Sequence, residues 1–260
     1  MSEDFKSQLV KLGLNPGDVV LMHSSMKALK TKRTPTEFIE DIISVIGSEG
    51  TLLIPALSYR DVKADNPYFS VKETEPCIGL IPKTFFHMPG VIRSLHPTHS
   101  VCAFGKMAGE LTSKHILDET PVGPHSPITR IADYNGKILF IGDVIKCCTF
   151  MHGIEELVGT SYCLAKERTH YVIKDENGNT VEKDMFTHDF AGWEQEYQRI
   201  KDILDYPDIK TDKVGQAECY LIDSAALLAK AKEKLCENQY YFVTNVRGLK
   251  KDECPGLMYL

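Results

Sequence analysis

The pattern that most restricts the fold lies near the start of the chain: a short apolar run, a capped amphipathic helix, and a second short apolar run. Asp18-Val-Val-Leu-Met-His23 follows the turn signal Asn15-Pro16-Gly17 and reads as a buried strand ending in a polar loop. Thr34-Pro35-Thr36-Glu37 is a capping box with proline at the first helical position. Phe38, Ile42, Ile43 and Ile46 then recur at helical spacing up to Gly47, and Gly50-Thr-Leu-Leu-Ile-Pro55 is the next buried strand. Strand, helix, strand in this order predicts an α/β layer architecture.

The rest of the chain fits that class. Its 260 residues, 43% hydrophobic and 25% charged, exclude disorder and can fill one domain spanning 1–260. Val101–Gly105 and Lys137–Gly142 read as further strands, Gly79–Met88 as a short helix, and Thr149 as the cap of a helix reaching Val158. Tyr171–Phe186 has the pattern of a hairpin with Asn177-Gly178 as its turn, and Phe190–Leu204 and Asp223–Cys236 read as helices. Residues 58–78 show no clean period and read as a long loop.

Composition narrows the function. No apolar run approaches the ~20 residues of a membrane span, and Met1 to Lys11 mixes charges into its apolar residues, unlike a signal peptide. The cysteines at 77, 102, 147, 148, 163, 219, 236 and 254 show no CxxC spacing and sit mostly in apolar stretches, which predicts reduced thiols and a cytoplasmic protein. A formal charge of −6 disfavours nucleic acid and anionic membranes as partners and suits a cationic small molecule.

The segment Thr149-Phe-Met-His152-Gly-Ile-Glu155-Glu156 is the richest in chemistry. On a helix, Glu155 and Glu156 lie at i+3 and i+4 from His152, where a carboxylate can fix the imidazole tautomer and support a general base. An ordinary surface pair fits the same spacing, and either glutamate can face the histidine. Zinc is not expected, because the second histidine of an HxxEH motif is replaced by Glu156. Pro97 keeps His96 and His99 off a shared helical face, leaving pocket lining and local loop bonding both open. His23-Ser24-Ser25 ends a strand where open α/β sheets bind ligands. Ser126 before Pro127 has the pattern of a helix cap, with an anion-binding helix start as the alternative. His188-Asp189 can lend an imidazole or a carboxylate, or simply begin the next helix, and Trp193 reads as core or rim. Walker, GxGxxG, GxSxG and HExxH motifs are absent, as is the pyrophosphate signature of the GNAT acetyltransferases.

Taken in order, these segments resemble the aminoglycoside N3-acetyltransferase family, also called the antibiotic N-acetyltransferase family. The resemblance rests on Val20-Leu-Met-His23-Ser-Ser25, Gly50–Pro55, Gly90-Val-Ile-Arg93-Ser-Leu-His96-Pro-Thr-His99-Ser100, Ser126-Pro127, Lys137–Gly142, His152-x-x-Glu155-Glu156 and Val214-Gly215-Gln-Ala217. It implies a single α/β domain unlike the GNAT fold, acetyl-CoA as donor, a primary amine as acceptor, and direct transfer in a ternary complex. It also implies His152 as base with Glu155 as its carboxylate, and His23, Ser24, Ser25, Ser100 and Ser126 along the CoA arm. His188 and Asp189 fall where the family brings in a further histidine or carboxylate. A small-molecule amine, typically an aminoglycoside, is the implied partner of a monomer or homodimer.

One departure from the family pattern concerns charge. Asp61, Asp65, Glu73 and Glu75 in 58–78 are offset by Arg60, Lys63 and Lys72, and residues 160–190 are similarly mixed. That balance keeps open a less cationic acceptor, such as an amino sugar or amino-acid-like metabolite. A CoA-binding member without turnover and a hydrolase using His152 are further alternatives, the latter disfavoured by the missing nucleophile elbow.

Overall fold

The computed structural model describes residues 4–247; Cys254 lies outside them. Among the described residues twelve strands run β1 Val19–Ser24, β2 Thr51–Pro55, β3 Tyr68–Ser70, β4 Ile92–Arg93, β5 Val101–Gly105, β6 Lys137–Ile141, β7 Thr169–Lys174, β8 Thr180–Met185, β9 Trp193–Gln195, β10 Ile209–Val214, β11 Ala217–Asp223 and β12 Val243–Asn245. The α-helices are α1 Phe5–Leu12, α2 Met26–Leu29, α3 Pro35–Ile46, α4 Leu80–Phe86, α5 Ala108–Thr112, α6 Pro127–Arg130, α7 Thr149–Val158 and α8 Ser224–Glu237.

The main sheet has the order β10-β11-β6-β1-β2-β5-β4. β6, β1 and β2 are parallel, while β5 then β4 on one side, and β11 then β10 on the other, each pair antiparallel with the inner neighbour. Apolar residues fill both faces of the central strands. Val19, Leu21, Leu53, Ile138 and Phe140 point into a core with α7 and α8, and Val20, Met22, Leu52, Leu139 and Ile141 into one with α1 and α3. Burial on two faces explains why these strands read as continuous apolar runs. The capping box on α3 is formed in both directions, with Glu37 N–H on Thr34 at 3.2 Å and Thr34 N–H on Glu37 at 2.7 Å.

Because the central strands are parallel, their C-terminal ends share one edge. Ser24 lies opposite Ile141, and Pro55 lies opposite Val101, so the 94–100 loop enters β5 at that same edge. α7 follows β6 and packs beside it.

Several expectations need correction. Phe190–Leu204 is not an α-helix: Gly192 takes φ +83°, β9 pairs with β12, and only a 3-10 turn, Tyr197–Asp202, follows. Ladder bonds from the chain's end claim the backbone that the apolar period assigned to a helix. Residues 58–78 carry β3, which joins β7 and β8 in a small second sheet. The expected 171–186 hairpin does form, as β7 and β8, with Asn177-Gly178 inside a 175–179 turn where the Asp175 carboxylate accepts the Asn177 and Asn179 amides. Cys148, not Thr149, stands at the cap of α7. The β10–β11 hairpin, turned at Gly215 with φ +59°, was not anticipated as strands. Cys102, Cys148, Cys163 and Cys219 are buried free thiols, whereas Cys147 and Cys236 are exposed. Among the described residues no helix is long and apolar enough to cross a membrane.

Candidate active site

β1 delivers His23 to the C-terminal edge of the sheet, where its ring stacks on Phe140 of β6 at 5.1 Å. Burial, with His152 nearby, drives its pKa down to about 3, so the imidazole is neutral. Its Nε2 lies 3.4 Å from the Thr149 hydroxyl at the start of α7. α7 itself is held close to the 122–129 segment because residue 153 is glycine: a Cβ there would stand 2.6 Å from the Thr129 hydroxyl.

On α7 the open choice between the two glutamates is resolved. Glu155 is fully buried and accepts the Tyr162 hydroxyl on Oε1 at 2.9 Å and the Tyr197 hydroxyl on Oε2 at 2.7 Å. Tyr197 has only one proton, and it goes to Glu155. Its oxygen, 2.8 Å from His152 Nδ1, therefore accepts from that nitrogen, and Glu155 Oε2 lies 3.4 Å from the same Nδ1. This fixes the neutral tautomer: Nδ1 carries the proton and Nε2 carries the lone pair. Burial, then Glu155, raises the Tyr197 phenol well above its ordinary pKa, which keeps it a donor.

Glu156, the next residue, binds a different set of partners. Its carboxylate takes the Val122 amide at 2.9 and 3.2 Å and meets His188 Nε2 at 2.7 Å. His188 Nδ1 is 3.2 Å from His99 Nε2, and His99 Nδ1 is 2.9 Å from the Thr98 hydroxyl. The His152 and His188 rings lie 4.6 Å apart, with Phe190 against both. Burial lowers the pKa of His99 and His188, with His188 next in effect on the former and His152 on the latter.

Other expected site residues lie elsewhere. Ser100 is fully buried, and its hydroxyl is spent donating to the Ala56 carbonyl at 2.9 Å and accepting Arg93 Nε at 2.8 Å. Ser126 is buried and caps α6 through the Ile128 amide at 3.3 Å. Asp189 is exposed and accepts the Ala191 amide at 3.0 Å, a turn contact that takes it out of the cluster. His96 Nδ1 accepts the Thr98 and His99 amides, so it shapes the Pro97 turn. Ser24 and Ser25 are half-buried at the edge beside His23, but the Ser25 amide is already given to the Ile141 carbonyl at 2.9 Å and is not free for an oxyanion. Tyr162, Tyr197 and the Glu156–His188 pair were missed, since no spacing links residues so far apart in the chain. Among the described residues no group of three His, Cys, Asp or Glu is placed to hold a metal ion.

The arrangement defines a class: an α/β protein that presents a half-buried histidine beside a buried carboxylate at the C-terminal edge of a mixed sheet. The aminoglycoside 3-N-acetyltransferase family model matches residues 21–236, and the chain belongs to that family. Aminoglycoside N(3)-acetyltransferase IX of Micromonospora chalcea is 28% identical over 250 residues, covering 84% of this chain and 87% of the relative. The crystal structure of aminoglycoside acetyltransferase AAC(3)-IVa, as a histidine-to-alanine mutant in complex with a gentamicin, superposes with a TM-score of 0.77 at 27% identity, over 92% of this chain and 89% of that one. AAC-IIIb in binary complex with CoASH shares the fold at TM-score 0.79 and 23% identity, over 90% and 95% of the two chains.

Proposed function

We propose that the chain, as one catalytic domain, transfers acetyl from acetyl-CoA to the 3-amino group of an aminoglycoside, with His152 as general base. The observation that carries this reading is the tautomer imposed by Tyr197 and Glu155, which leaves His152 Nε2 as a proton acceptor. An acceptor amine, with an ordinary pKa of ~10.4, arrives mostly protonated and must lose a proton to attack. Acetyl-CoA supplies an activated acyl group on a good leaving sulfur. The ammonium first sheds one proton to solvent, which frees its lone pair; His152 Nε2 takes a second amine proton as the C–N bond forms, and Glu155 stabilises the resulting imidazolium through Tyr197. His152 then returns the proton to the departing sulfur, so the base ends as it began. Such a base contributes roughly 10²–10⁴ in rate, and holding donor and amine together adds the proximity effect. The half-buried hydroxyls of Ser24 and Ser25, beside His23, suit the amide groups of a pantetheine arm; those of Ser100 and Ser126 are already bonded within the fold.

A less cationic acceptor is the second reading, and a specific observation favours it. The carboxylates around the site are occupied: Glu155 and Glu156 internally, Asp189 in a turn. Two carboxylates of the excursions are paired with lysines, Lys174–Glu73 and Lys63–Asp65, and Asp175 is spent on turn amides. Loss of thioester absorbance from acetyl-CoA, followed with aminoglycosides and with simple amino sugars, decides between them. Aminoglycoside-dependent loss supports the first reading, and loss with amino sugars alone supports the second. Acetyl-CoA binding without turnover of any amine would leave a ligand-binding member, and loss without any amine a hydrolase.

A further inference from the structure

Behind His152 runs a hydrogen-bonded chain that the transfer step does not use: Glu156, His188, His99 and Thr98, linked at 2.7, 3.2 and 2.9 Å. Each neutral imidazole has one N–H and one lone pair, so the three links must all point the same way. With Glu156 ionised, the Thr98 hydroxyl donates to His99, His99 to His188, and His188 to the carboxylate. With Glu156 protonated, its O–H donates to His188, and each later link reverses until His99 Nδ1–H donates to Thr98. Either state satisfies the chain's nitrogens, and the two differ by one proton.

We propose that Glu156 is a positioning residue for the acetyl transfer: as a carboxylate it orders His188 and His99 and stabilises positive charge on His152, and on gaining a proton it reverses the chain and withdraws that charge. The proposal rests on the reading of His152 as the base. The neighbours of Glu156 support placing the exchanged proton on it. His188 faces it from the turn after β8, His152 from its own helix, Cys163 from beyond the end of α7, and Asp118 from the 118–125 loop. Asp118 is itself bound to His125 at 2.8 Å, and the nearby Lys183 spends its Nζ on the Ile116 and Asp118 carbonyls at 2.6 and 2.8 Å. No cation therefore contacts the Glu156 carboxylate among these neighbours. Burial raises its pKa to about 7, against the Thr120 side chain, the Val122 amide and His152, which lower it. Burial lowers that of His188, so the protonated pair is neutral carboxyl with neutral imidazole.

Two readouts test this. Infrared difference spectra between about pH 5.5 and 8.5, a window bracketing that pKa, need no substrate. The free protein should show a protonated carboxyl C=O band at low pH that is missing in Glu156→Gln. In kcat against pH, the native protein should lose activity as pH falls through the Glu156 transition. Glu156→Gln should be roughly tenfold slower, as loss of one nearby charge predicts, and should lack that limb, while Glu156→Asp regains it. Absence of the band, or a Glu156→Gln profile parallel to the native one, overturns the proposal. Failure of His152→Ala to impair transfer overturns instead the reading on which it rests.

Discussion

The two edges of the main sheet are built on opposite terms. At the edge where the parallel strands begin, Gly50, Gly105 and Gly136 let backbones touch: a Cβ on Gly105 would lie 2.2 Å from the Gly50 carbonyl, and one on Gly136 2.7 Å from that of Ile131. Lys137 and Asp18 close that edge with an ion pair at 2.7 Å. At the edge where those strands end, His23, His99 and His188 cluster beside His152, with His96 and His115 stacked behind. One edge is optimised for close packing. The other buries uncharged imidazoles that a purely structural core would replace with apolar residues, which is the expected mark of a functional site.

The largest expected consequence is acid sensitivity located at the histidine edge. His23 and His115 have pKa values pushed down to about 3 by burial, and those of His96, His99 and His188 also lie well below the ordinary value. The unfolded chain binds protons at these sites near pH 6.5 while the native chain does not. Stability should therefore fall as pH drops below that value, by about 1.4 kcal/mol per unit for each such histidine. Glu156 acts in the opposite sense and more weakly: its raised pKa, about 7, costs stability that appears as pH rises from the ordinary carboxyl range. Chemical denaturation at a series of pH values checks this, and a flat profile from pH 7 to 5 would break the comparison.

Gly105→Ala probes the other edge. With φ +117° and backbone atoms in the way, alanine should cost about 3 kcal/mol, measurable by urea midpoint, with activity per folded molecule kept. Tyr197→Phe sharpens the histidine edge. It removes a hydrogen bond to the buried Glu155 carboxylate and frees the Nδ1 tautomer, for about 2 kcal/mol of stability and roughly a tenfold fall in kcat. The smallest effects separate two serines. Ser100→Ala should lower stability by about 1 kcal/mol and leave the KM for acetyl-CoA unchanged, whereas Ser24→Ala should raise that KM a few-fold with stability intact.

What the sequence revealed follows the range of its signals. The central strands, α3 and α8 were legible because their apolar periods and caps are local, as with Thr34–Glu37 on α3 and Asp223 on the Ala226 amide. The pairing of β9 with β12 was not, because it joins Trp193 to Asn245 across the chain and overrides a helical period. In the same way His152 and Glu155 were readable as an i, i+3 pair, but Tyr197, 42 residues beyond Glu155, was not. Ser100 and Ser126 illustrate the converse: hydroxyls in the right order along the chain were consumed by Arg93, Ala56 and a helix cap.

The most direct test of the account is kcat for acetyl transfer in His152→Ala, measured on an acceptor that the native protein turns over and with folding verified by circular dichroism. The account predicts a loss of roughly 10²–10⁴ with the KM for acetyl-CoA nearly unchanged. Transfer at the native rate by a folded His152→Ala would contradict it.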